Sequence, residues 1–170
     1  MKLLRSLVAC LVALCLLVAP ANANAFGTPV GPVILTVSGL DEARFPGGQV
    51  AFDIEMLRAL GEVEIKTSSI WTEGTHVYTG VLLKTLAARL KIDDAMLKLH
   101  ALNDYTVEFP TPEAQDDAPI LAYWFDGAPM SVRDKGPVWL IYPYDADVKY
   151  RTDTAFARSI WQLDHIEVLR

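Results

Sequence analysis

From Val33 the stretch VILTVSG alternates β-branched and other residues, which predicts a strand behind the stiff lead-in Pro29-Val30-Gly31-Pro32. In FDIEMLRAL the apolar positions Phe52, Met56, Leu57 and Leu60 recur at helical spacing, and Gly61 follows as a stop. EVEIKTSS, from Glu62, returns to alternation. The stretch TSSIWTEGTHVYTG (67–80) then reads as a polar junction carrying hydroxyls, one Trp, one Glu and one His between that strand and the next helix. VLLKTLAARL (81–90) is the second short amphipathic helix, with Arg89 and Lys91 at the end where the helix dipole favours cations.

Beyond Leu97 the texture changes to strands and turns. KLHALND and YTVEFP read as strands, TPEAQDDAP as a polar loop closed by Pro119, and ILAYWFDGAPMSV as a hairpin around Asp126-Gly127. RDKGP makes a further turn before VWLIYP, and QLDHIEVL forms a last strand. The pattern contains no repeat and no linker. It predicts one α+β domain, rich in mixed or antiparallel strands, with two short helices early in the chain.

The first 25 residues stand apart. Lys2 and Arg5 precede the apolar run LVACLVALCLLVA (7–19), too short for a membrane span, and ANANA offers small-residue cleavage sites. Residues 1–25 are expected to be an export signal cleaved after Ala23 or Ala25, and residues 26–170 the domain. Leu7-Val8-Ala9-Cys10 has a lipobox-like look, but the apolar run continues past Cys10. Cleavage removes two cations and takes the formal charge from −6 to −8. So acidic a chain has little to offer nucleic acid or anionic lipid, and no membrane insertion is expected after cleavage. Both cysteines, Cys10 and Cys15, leave with the signal, so the mature chain has no disulfide and no thiolate ligand or nucleophile.

The remaining inventory suits binding better than metal or nucleophilic chemistry. Glu73 and His76 stand three apart, but a zinc or iron site needs further ligands; His100 and His165 lie in strands and read as structural. Ser68 and Ser69 have no base near them in sequence, and no Gly-rich phosphate loop occurs. Arg133, Asp134, Lys135, Arg151 and Arg158 fall among Trp124, Trp139, Tyr142, Tyr144, Tyr150 and Trp161. Rings that stack and guanidinium groups that grip oxygens suit a flat polar ligand, with Asp104 or Asp126 able to accept paired N–H donors. The same residues also fit a core of aromatic side chains under a solvated charged rim, and composition leaves both readings open.

Three ordered segments carry a resemblance. ALNDYTVEFP (101–110), LAYWFDGAPMSVRDKGPVWLIYPYD (121–145) and YRTDTAFARSIWQLDHIEV (150–168) resemble the small exported members of the molybdopterin-binding oxidoreductase domain family, which has the sulfite-oxidase fold. In its enzymes a Cys on a strand-to-helix loop binds molybdenum. The loop that looks equivalent here is KTSSIWTEG, with Ser68 or Ser69 at the expected Cys position. A hydroxyl is a harder and less acidic ligand than a thiolate, which argues against ordinary sulfite-oxidase-type molybdenum chemistry. The chain also has Val138 and Trp139 where the sulfite oxidases tend to place a basic residue, and Ile160 before Trp161.

A subgroup without the metal-binding Cys is similar to periplasmic pterin-binding regulators that act on a membrane-bound cyclic-di-GMP enzyme. The resemblance therefore implies a periplasmic, non-catalytic protein that binds a reduced pterin or molybdopterin and signals to the periplasmic part of a membrane partner. Trp71, Tyr105, Trp139 and Trp161 would stack on the ligand or wall it. Arg133, Arg151 and Arg158 would grip its oxygens, Glu73 or Asp104 would pair with its amino edge, and Ser68 and Ser69 would supply hydroxyls. The alternative is a molybdenum-cofactor oxidoreductase with Ser or solvent completing the coordination.

Overall fold

Period-2 burial organises the chain into two five-stranded sheets. The computed structural model describes residues 26–169; the expected export signal, with its cysteines and cleavage sites, lies outside them. No helix of the described residues is long and apolar enough to cross a membrane.

The first sheet has the order β2 (Gln49–Phe52), β1 (Leu35–Ser38), β10 (Leu163–Leu169), β5 (Met96–Ala101), β6 (Thr106–Pro110). Only β1 and β10 run parallel, so the first and last strands meet at its centre. The second sheet has the order β3 (Glu62–Ser69), β4 (Thr72–Leu82), β7 (Ile120–Phe125), β8 (Ala128–Pro129), and β9 (Trp139–Ile141) also pairs with β7. Leu35, Val37, Leu97, Leu99 and Ile166 from one sheet are buried, as are Val81, Ile120, Leu121 and Leu140 from the other. The expected α+β class with mixed and antiparallel strands matches this architecture.

The helices depart from the expected pattern at two points. Phe52 ends β2, and the first helix α1 (Ile54–Arg58) begins only after Asp53, whose carboxylate accepts the Met56 N–H at 2.8 Å as its N-cap. The second, α2 (Leu83–Arg89), falls where predicted. A third helix, α3 (Asp153–Arg158), corrects the expectation that helices occur only early. Its signals are local: Thr152 caps it by accepting the Ala155 N–H at 3.1 Å, Asp153 sits in its first turn and Arg158 in its last.

The larger correction concerns residues 67–80. They form no strand-to-helix loop: β3 continues to Ser69, the chain turns at Ile70-Trp71, and β4 runs antiparallel back along β3 from Thr72 to Leu82. Thr75, Val77, Tyr78 and Thr79 are β-formers, and pairing with β3 on one side and β7 on the other outweighs their polar character. Asp126 and Gly127 make the predicted tight turn, with φ of 48° and 79°.

Candidate functional site

Residues from three separate parts of the chain converge beside the β3–β4 turn. Trp71 lies within 5.7 Å of Trp161, 5.8 Å of Trp139 and 5.9 Å of Phe156 between ring centroids, all edge-on. Such contacts suit the quadrupoles of the rings and hold each indole in one orientation. A cavity of about 360 Å³ opens beside this cluster, lined by Trp71, Tyr105, Phe156 and Trp161 with Asn103 and Ser159 as polar groups. That volume is at the small end of ligand sites.

The polar lining is held in place. Asn103 Oδ1 accepts the Tyr105 N–H at 3.2 Å, which leaves its amide N–H₂ as a donor for a ligand. Ser159 is buried; its hydroxyl is bonded to Tyr144 Oη and to the Ala155 carbonyl, and its own carbonyl accepts Trp139 Nε1 at 3.1 Å. Burial pushes the Tyr144 phenol up from its ordinary value.

A second cavity, about 380 Å³, is lined by Trp139, Thr72, Phe125 and Met130 and by the charged residues Arg133, Asp134 and Lys135. Lys135 Nζ stands 5.5 Å from the Trp139 ring, which lines this second cavity, and 5.9 Å from the Trp161 ring, which lines the first. Trp139 is 1% exposed and supports the cluster as a core residue while touching this second cavity.

Of the eleven residues singled out in sequence, five line these cavities: Trp71, Tyr105 and Trp161 the first, Arg133 and Trp139 the second. The others lie outside both. Ser68 donates its amide N–H and its hydroxyl to Asp145 at 2.6 and 2.8 Å, and Arg151 Nη2 donates to the same carboxylate at 2.9 Å. Ser69 Oγ is engaged with Thr72 Oγ1 at 2.7 Å. Arg158 pairs with Glu113 on the opposite side of α3, where Tyr142 and Tyr150 lie. Glu73 is exposed at the hairpin tip and Asp104 in a turn at φ 65°. Asn103, Phe156 and Ser159 were missed; only the third helix, read from its caps, could have drawn attention to the last two.

His76 has a structural duty. Its Nδ1 bonds Asp126 Oδ2 at 2.7 Å and its Nε2 bonds the Glu73 carbonyl at 2.7 Å, stapling the hairpin tip to the β7–β8 turn. The Asp126 hydrogen bond raises its pKa. No protein-family model matches the chain, and no curated protein matches it.

Proposed function

We propose that the chain is a binding protein for a flat heteroaromatic ligand of the pterin class, whose liganded form is read by a partner. The observation that carries this reading is the first cavity. Four aromatic side chains, a free amide donor and a fixed hydroxyl surround a space large enough for a two-ring heterocycle, with no ionised side chain on its wall. Trp71 and Trp161 would supply the stacking faces and Asn103 the edge hydrogen bond. Arg133 and Lys135, on the second cavity, whose Trp139 packs edge-on against Trp71 and Trp161, would receive oxygens of a side chain on the ring.

The family resemblance supports the same reading. It implies a sulfite-oxidase-type fold without the metal-binding Cys, located in the periplasm and coupled to a membrane enzyme of cyclic-di-GMP metabolism. Occupation of the Ser68 hydroxyl by Asp145, and of Ser69 by Thr72, weighs against either serine as a molybdenum ligand, and so against the oxidoreductase alternative.

Tryptophan fluorescence tests the proposal. Titration with a tetrahydropterin is expected to quench emission saturably, and Trp71→Ala to abolish most of that quenching. Absence of saturable quenching by reduced and oxidised pterins alike would overturn it.

A further inference from the structure

The first sheet has a second face. Along β5 and β10 the inward residues Leu99, Ile166 and Val168 are buried at 0–5% exposure, so strand alternation turns His100, His165 and Glu167 outward. His165 and His100 stand directly opposite one another in the antiparallel register, with ring centroids 5.4 Å apart. Sequence alone reads them as two unrelated strand histidines, 65 positions apart. Pairing β5 with β10 makes them neighbours.

We propose that this face carries a site for a late first-row divalent metal ion, built from His100, Glu167 and His165. Glu167 Oε2 lies 3.4 Å from His100 Nε2, yet the nitrogen is buried and has no hydrogen-bond partner. A buried imidazole nitrogen without a partner is unfavourable, and a ligand relieves it. The separation also fits coordination: two ligand atoms each about 2.0–2.1 Å from a tetrahedral ion stand about 3.4 Å apart. His165 Nε2 is held at 2.7 Å by Ser38 Oγ on β1. Among the described residues no three such side chains are already placed to hold a metal ion, so the proposed site needs His165 to rotate away from Ser38 to supply the third ligand. Two imidazoles and a carboxylate favour Zn²⁺ or Cu²⁺ over the harder Mg²⁺ and Ca²⁺, with solvent in the fourth position.

Calorimetric titration of the folded chain with Zn²⁺ tests this. One equivalent is expected to bind, and His100→Gln, His165→Gln and Glu167→Gln are each expected to weaken it by about tenfold or more. His76→Gln, in the other sheet, is expected to leave affinity unchanged. Histidine side-chain NMR of the unaltered chain supplies a readout independent of variant folding: Zn²⁺ should shift the His100 and His165 ring resonances and spare His76. Saturable binding that survives in the His100→Gln/His165→Gln double variant, shifts confined to His76, or no binding at all would each overturn the proposal.

Discussion

Asp145 holds Ser68 at two points, its Oδ2 accepting the backbone N–H at 2.6 Å and its Oδ1 the hydroxyl at 2.8 Å, and so ties the end of β3 to the loop after β9. Thr67 strengthens the tie by accepting the Asp145 N–H at 3.1 Å. The serine that stands at an expected ligand position is thus part of a structural clasp. The backbone N–H of Ser68, then its hydroxyl, hold the Asp145 carboxyl below its usual range, with Arg151 adding a smaller effect. A carboxylate with a depressed folded pKa contributes stability above its unfolded value, near 3.8, and loses it as pH falls through the folded one. Asp145→Asn is expected to lower the thermal midpoint at pH 7 and to flatten its decline below about pH 4. Thermal melts of both proteins from pH 2 to 7 check this; parallel curves would refute it.

The His76–Asp126 contact titrates in the opposite sense. Asp126 raises the imidazole pKa above 6.5, so its contribution is complete below that value and is lost as pH rises through the higher folded value. As pH rises above about 6.5, the wild-type midpoint should fall more steeply than that of His76→Gln. Because His76 also packs 4.5 Å from the Phe125 ring, which lines the second cavity, ligand affinity there should weaken over the same interval. A pH-independent difference between the two proteins would remove the staple from this account.

Two arginines that the sequence assigns the same role should behave differently. Arg133 lines the second cavity and is exposed, whereas Arg158 is turned to the other side of α3 and paired with Glu113. Arg133→Ala is expected to weaken binding of a pterin with an oxygen-rich side chain by about tenfold, equal to one charge-assisted contact, without changing the thermal midpoint. Arg158→Ala is expected to cost about 1 kcal/mol of stability and leave affinity unaltered. Equal losses of affinity in both variants would show that the second cavity does not receive the ligand's oxygens.

Much of this division lies beyond the reach of one-dimensional reading. The strands from Val33, Glu62 and Gln162 and the Asp126-Gly127 turn were legible because period-2 alternation and positive-φ turn chemistry are local. The β3–β4 hairpin was not, since residues 67–80 carry enough hydroxyls and charge to look like a loop, and only the β3 and β7 neighbours stabilise them as strand. Trp71, Tyr105 and Trp161 stood out by residue type alone, and the fold places them on one cavity. The arginines scattered because Arg151 and Arg158 are each captured by a partner that only the fold brings to them, Asp145 for Arg151 and Glu113 for Arg158. Asn103 sits in the turn after β5, and the Asn103-Asp104 pair signals that turn without showing that the amide faces a cavity.

The two tryptophans in edge-on contact offer the sharpest separation of binding from folding. Trp71 is partly exposed and walls the first cavity, while Trp139 is 1% exposed, donates to the Ser159 carbonyl and supports the cluster from within. Removing a fully buried Trp leaves a large void and an unsatisfied carbonyl, so Trp139→Ala is expected to destabilise by about 3–5 kcal/mol. Trp71→Ala removes a wall that solvent can refill and should cost appreciably less, about 1–2 kcal/mol, while abolishing ligand quenching. Trp71→Phe keeps a ring at the wall and is expected to restore part of the affinity. Denaturant unfolding and fluorescence titration of the three variants decide the matter. Full affinity in Trp71→Ala would locate the ligand elsewhere, and a small stability loss in Trp139→Ala would mean that the cluster repacks around the void.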